Sequence, residues 1–192
     1  MEMLESLVQR VASVFARLGG AMIVLIAVGV SVDVVTRNLL GRTLLNSYEF
    51  STYLFALAIS FGMSYTALCG AHIRVDVLAA KFPAPIRRGL DFLSFLSLAA
   101  LGVLLTYLSF RLASASLSRG VTSSSALAFP LGVPQAAWAV GFAVFALTCL
   151  LLTMRHAGYL LQGRGAEADG LGRFGQEEEV TEAVAEARHR ER

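Results

Sequence analysis

Charged residues are scarce in this 192-residue chain, and their absence is concentrated. Asp, Glu, Lys and Arg make up 16% of it, against about 25% in an average soluble domain. Residues 18–32, 50–71, 92–110 and 120–154 contain none of the four. Such runs exclude a soluble enzyme and a nucleic-acid binder, because neither could keep its surface wet. Cysteine is nearly missing too. Cys69 and Cys149 each stand alone inside an apolar run, and no C-x-x-C pair occurs. That excludes a disulfide-stapled secreted domain and argues against a membrane thiol–disulfide exchange enzyme. Both cysteines read as small buried hydrophobes.

What is present is hydrophobic length: 56% of the residues are hydrophobic. A membrane-spanning helix needs about 20 mostly apolar residues. The runs predict an all-α integral membrane protein with spans of about 18–36, 50–71, 88–111 and 135–154. The first reaches full length with Asp33 inside it, and Pro130 and Pro134 shorten the fourth. Residues 1–162 form the four-helix membrane domain. Five glycines between Gly163 and Gly175 mark 163–192 as a flexible cytoplasmic tail.

Orientation follows from Lys and Arg near the span ends. Arg10, Arg17, Arg74, Lys81, Arg87, Arg88, Arg155 and Arg164 fall on one side. Arg37, Arg42, Arg111 and Arg119 fall on the other. The richer side is cytoplasmic, so the chain is expected N-in and C-in. Tyr48, Tyr53, Tyr107, Phe110 and Trp138 cluster at the outer interface, and Tyr159 marks the inner one. The first 17 residues carry apolar positions at helical spacing, from Leu4 and Leu7 to Leu18. They read as an amphipathic lead-in lying at the inner membrane surface before span 1.

Several polar positions stand out. Asp33 and Arg37 share one helix face at the outer end of span 1. Either they form a local ion pair, or they contact another helix or subunit, since charges at membrane depth rarely face lipid. Asn46 and Glu49 fit a capping box at the start of span 2. Alternatively Glu49 pairs with Arg37 across the short loop. Inside span 2 small residues recur in two rows, Ala56-Ser60-Ser64 and Ala58-Gly62-Thr66-Gly70. Helix association in lipid depends on close backbone approach, so span 2 is expected to be the most protein-enclosed of the four. Residues 72–82 predict a short amphipathic helix in the inner interface, broken by Pro83. Pro85 then suits the first turn of span 3. Residues 119–134 read as an outer loop packed close to the membrane.

The chemistry is defined by what these spans omit. An ion-coupled transporter that works alone needs ionisable groups near the bilayer midplane, often with broken helices. The middle thirds of these spans carry none, and no proline interrupts spans 3 or 4 at their centres. His72 and His156 sit at inner helix ends, too shallow for a b-type haem. No nucleophile–base pair, metal cluster or phosphate loop is present. No enzyme, cofactor or metal is therefore expected, and the residues read as a scaffold. A small standalone exporter or channel-like protein is the alternative.

The chain resembles the small membrane subunit of tripartite ATP-independent periplasmic (TRAP) transporters over about residues 18–155. The resemblance rests on Asp33-Val-Val-Thr-Arg37, on Glu49, and on Gly62 followed by Ala67-Leu-Cys-Gly-Ala-His72-Ile-Arg-Val-Asp76. It continues in Ser123-Ser-Ser-Ala-Leu-Ala-Phe-Pro130. Cys69 stands where a basic residue is expected, and Leu131 where an aromatic often follows the first proline. The resemblance implies a bacterial inner-membrane scaffold that braces a large transport subunit. That large subunit carries the substrate and sodium sites, and a periplasmic binding protein delivers an organic anion of dicarboxylate or sugar-acid type. Candidate contacts to partner or lipid are Asp33, Arg37, Glu49, Ser60, Gly62, Thr66, His72, Arg74 and Asp76. No nucleic-acid partner is expected.

Alkaline phosphatase fused after residue 192 should be inactive, and fused near Arg42 it should be active. The reverse pattern would overturn the orientation.

Overall fold

The computed structural model describes residues 2–41, 47–70, 82–125 and 128–171. Four long helices dominate: α1 (Glu2–Leu40), α2 (Ser47–Leu68), α3 (Ala84–Ser118) and α4 (Gly132–Leu161). A short α5 (Gly165–Asp169) follows. Each long helix is apolar and long enough to cross a membrane. The inner-interface helix expected over 72–82 lies almost wholly outside the described residues.

The helices start and stop for local reasons. Pro83 is extended (φ −61°, ψ 152°) and caps α3 with its carbonyl, which accepts from the Ile86 and Arg87 N–H groups. Pro85 lies in the first turn, where a missing N–H costs nothing. Past α3 and α4 the chain turns at Gly120 (φ +60°) and Gly163 (φ +70°), a conformation that disfavours a Cβ. These two turns aim the loop between α3 and α4 and the tail; the end of the bundle bearing that loop is called outer, and the opposite end inner, after the orientation expected from the charges.

α1 is one uninterrupted helix of 39 residues. At ~1.5 Å per residue that is about 58 Å, well beyond a hydrocarbon core of ~30 Å. The lead-in thus runs into span 1 as one continuous helix. Only part of its apolar face meets protein: Val8 and Ala12 are buried, and Ala12 belongs to the core, whereas Leu7, Val14 and Leu18 are exposed.

Packing follows a row rather than the chain order. α1 packs on α2, α2 on α4, and α4 on α3, with α1 touching α4 lightly. Half of the apolar stretch of α4 is buried (50%), against 33% for α2, 22% for α3 and 11% for α1. The expectation that the second span is most enclosed is thus corrected in favour of α4. The reason lies in how α2 spends its small residues. Ser60 and Ser64 are fully buried and Ala58 is buried, whereas Gly62 faces open space.

The contacts are close because glycine permits them. A Cβ on Gly141 of α4 would meet Ser60 Oγ at 2.5 Å and Ser60 Cβ at 2.8 Å. A Cβ on Gly102 of α3 would meet the Ala146 Cα at 3.0 Å. Phe145, fully buried, fills the centre with Cys149, Phe95 and Ala99. Phe15 of α1 tilts against Phe61 of α2 with ring centroids 4.5 Å apart.

Gly141→Ala should lower the thermal midpoint in detergent, because Ser60 Cβ cannot rotate away and overpacking costs ~1–3 kcal/mol. Gly62→Ala meets nothing within 4 Å and should unfold with the parent. Equal losses at both positions would contradict this packing.

Candidate functional site

Polar residues gather at the two ends of the bundle. At the outer end, Asp33 of α1 is buried (5% exposed) although the helix around it is open. The Ser47 hydroxyl, from the first residue of α2, donates to Asp33 Oδ2 at 2.8 Å. The other oxygen, Oδ1, is buried without a hydrogen-bond partner among the described residues. Arg37 is exposed, and no described residue pairs with it. The local ion pair with Asp33 is therefore not formed. Serine takes that place because α2 begins directly beside Asp33. The Thr36 hydroxyl donates to the Val32 and Asp33 carbonyls (2.9 and 3.0 Å).

Glu49, in the first turn of α2, organises the neighbouring cluster. Tyr53 OH, one turn on, donates to Glu49 Oε1 at 2.7 Å. The hydroxyls of Ser123 and Ser125 also hydrogen-bond this carboxylate. Those serines come from the loop after α3, and their own oxygens lie 2.9 Å apart. The loop closes on itself as Ser123 N–H donates to the Phe129 carbonyl (2.8 Å) and Phe129 N–H to Ser123 Oγ (3.2 Å). The Phe129 ring stacks on Tyr53 at 5.7 Å and meets Phe50 edge-on at 6.4 Å. Thr122 bridges Pro130 in antiparallel fashion. A carboxylate at a helix N-terminus, ringed by hydroxyl donors, thus ties the outer loop to α2. Asn46, the other half of the expected capping box, lies outside the described residues.

The small-residue rows of α2 divide in function. Ser60 is consumed inside the chain, against Gly141. Gly62 and Thr66 are half-exposed, and the Thr66 hydroxyl folds back to the Gly62 carbonyl at 2.9 Å. That leaves a smooth, apolar strip facing away from the bundle. On the opposite flank, the halves of α3 and α4 nearest their shared loop line an apolar groove of about 690 Å³. It is lined by residues including Thr106, Phe110, Leu117, Ala136, Val140 and Ala143. His72, Arg74 and Asp76 lie outside the described residues.

The inner end is closed by the tail. Arg88 donates from Nε to Asp169 Oδ1 (3.1 Å) and from Nη2 to Oδ2 (3.0 Å), and Arg87 Nη2 reaches Oδ2 at 3.3 Å. The Arg88 hydrogen bonds hold the Asp169 carboxyl below the usual carboxylate range. The contact thus stabilises the fold above the ordinary carboxylate pKa and is lost as pH falls through the lowered value. His156 is fully buried. Its Nε2–H donates to the Arg88 carbonyl at 3.2 Å, and its ring sits near Phe92 and Phe95 (6.3 and 5.3 Å). These contacts tie α4 to the start of α3, while Nδ1 is buried without a hydrogen-bond partner among the described residues.

The sequence signal for the outer cluster was present in part: Glu49, Tyr53 and the serine run were each visible, but not their meeting. For Asp169 there was none, since it lies among glycines that read as linker.

Residues 26–157 match the family model described as tripartite ATP-independent periplasmic transporters, DctQ component. The matched stretch holds Asp33, Arg37, Glu49, the Gly62–Thr66 strip and the serine loop. No curated protein matches the chain.

Glu49→Ala should speed hydrogen exchange through residues 119–131 more than Tyr53→Phe, which removes one hydrogen bond worth ~0.5–1.5 kcal/mol net. An unchanged loop in Glu49→Ala would show that the carboxylate does not anchor it.

Proposed function

The chain belongs to the DctQ component family of tripartite ATP-independent periplasmic transporters, and on that premise we propose that it is the fixed brace of a sodium-coupled importer. It is a transporter component and a multi-pass inner-membrane protein. In this reading the large membrane subunit carries the sodium and substrate sites and moves like an elevator. A periplasmic binding protein delivers an organic anion, of dicarboxylate or sugar-acid type, to the outer face. Both termini of the present chain lie in the cytoplasm. The chain itself is no enzyme and holds no cofactor.

One observation carries the scaffold role. Where the described helices pass mid-membrane, their buried side chains include Ala58, Ser60, Phe61, Ser64, Ala99, Phe142, Phe145, Ala146, Thr148 and Cys149, none of them charged. The hydroxyls of Ser60 and Thr148 return to carbonyls of their own helices, Leu57 (3.0 Å) and Val144 (2.8 Å). The buried acids, Asp33 and Glu49, sit at the outer ends of α1 and α2. Such a packed interior offers an anion no path and supports a role beside the transport subunit.

The contact surface follows from what the fold leaves uncovered. Gly62 and Thr66 present a strip where a second helix can approach closely. Arg37, exposed at the outer rim, suits a partner's carboxylate, and membrane lipids cover the remaining apolar faces. The inner segment with His72, Arg74 and Asp76 is assigned to headgroups or to the partner's inner loops.

Gly62→Leu should reduce co-purification of the large subunit and whole-cell uptake while leaving this chain's own thermal midpoint intact. The chain reconstituted alone should take up neither dicarboxylates nor sugar acids with sodium. Robust uptake by the chain alone would overturn the brace and favour a standalone exporter.

A further inference from the structure

Arg87 and Arg88 are adjacent in the first turns of α3, yet both guanidinium groups converge on one carboxylate. Two cations against one anion leave a net positive charge in the clamp. Among the described residues, Asp91, one turn along α3, forms no ion pair with either arginine. Glu167 is already held by Arg164 at 2.5 Å, and the Arg155 guanidinium is engaged with Tyr159. The clamp is also at the surface: the Arg87 and Arg88 side chains are 40% and 29% exposed, and Asp169 is 26% exposed. Phe82 and Ile86, both exposed, flank the arginines on the chain. Exposed apolar residues beside cations mark the boundary between acyl chains and headgroups. An arginine fork accepts a phosphate as readily as a carboxylate.

The held segment is small but reaches deep. Gly165 lies so close against the Arg88 guanidinium that a Cβ there would collide with it. Ala168 is buried, and Leu171 enters a cluster containing Ala12, Leu68, Phe95 and Leu152, one from each long helix. α1 and α3 stand at opposite ends of the row, so Leu171 joins halves that otherwise meet through α2 and α4.

We propose that the Arg87–Arg88 pair is a site for the phosphate of an anionic phospholipid. The chain's own Asp169 occupies it in competition, so residues 165–171 form a latch that anionic lipid opens. Opening withdraws Leu171 from the inner core and loosens the coupling between the two halves. This holds whatever the chain assembles with.

The test is hydrogen exchange of the full chain in nanodiscs of phosphatidylcholine, with and without phosphatidylglycerol. A third arm adds inorganic phosphate to phosphatidylcholine discs at matched ionic strength. The Ala168 and Leu171 amides, bonded to the Arg164 and Ala168 carbonyls, should exchange about tenfold faster with phosphatidylglycerol. Inorganic phosphate should leave them unchanged. Asp169→Ala should exchange fast in every disc. Arg87→Gln keeps both Arg88 hydrogen bonds, so its latch should stay closed in phosphatidylcholine and respond less to phosphatidylglycerol. Equal exchange in the two lipids, or a full phosphatidylglycerol response in Arg87→Gln, overturns the site. Acceleration by inorganic phosphate overturns the assignment to lipid.

Discussion

The close approach of α4 to its neighbours on both sides is the constraint on which the rest of the structure depends. In lipid no hydrophobic force drives one apolar helix toward another, so association rests on packing and on the few polar contacts available. α4 meets this at Gly141, where α2 brings Ser60, while Ala146 receives Gly102 of α3. Phe145, Thr148 and Cys149 then have no exposure at all. Because α4 is held from both sides, the other helices arrange themselves outward from it, and α1 and α3 end as flanks.

That arrangement explains where the polar residues sit. Among the described residues the buried side chains at mid-depth carry no charge, and the buried acids Asp33 and Glu49 lie at helix ends. At each end of the bundle charge serves to fasten something. Outside, Glu49 collects Tyr53, Ser123 and Ser125 and secures the loop between α3 and α4. Inside, Arg87 and Arg88 collect Asp169 and secure the tail. In both places a loop or tail segment is tied back to a helix start. The bundle is thus closed at top and bottom by short polar ties, while its long flanks stay apolar and open. Open flanks and closed ends are consistent with the proposed role of standing in a membrane beside a transport subunit.

Much of this was legible from residue type. The charge-free runs located four helices, and Pro83 with Pro85 marked the start of α3. The rows of small residues in α2 were real, but which row packs inward depends on where α4 lies. Nothing in the α2 sequence distinguishes Ser60 from Gly62 in that respect. The enclosure of α4 was hidden for the same reason: Gly141 and Ala146 are unremarkable in an apolar run until Ser60 and Gly102 arrive opposite them. The Asp33–Arg37 spacing suggested an ion pair at i, i+4, yet Ser47, 14 residues away, takes the aspartate instead. Asp169 was concealed by its glycine-rich surroundings, because a linker composition does not reveal that two arginines about 80 residues earlier wait at the same depth.

The central claim is that this chain is a rigid frame. It is tested most directly by the distance between its two flanks in the working transporter. Spin labels at Leu39→Cys on α1 and Phe110→Cys on α3, both exposed positions, would be placed with Cys69 and Cys149 replaced. Their distance distribution would be measured by pulsed electron resonance in the assembled system, with and without sodium and substrate. A rigid frame keeps one distribution in every condition. A distribution that shifts or splits when transport is driven would mean that this subunit moves with the substrate, and would contradict the account.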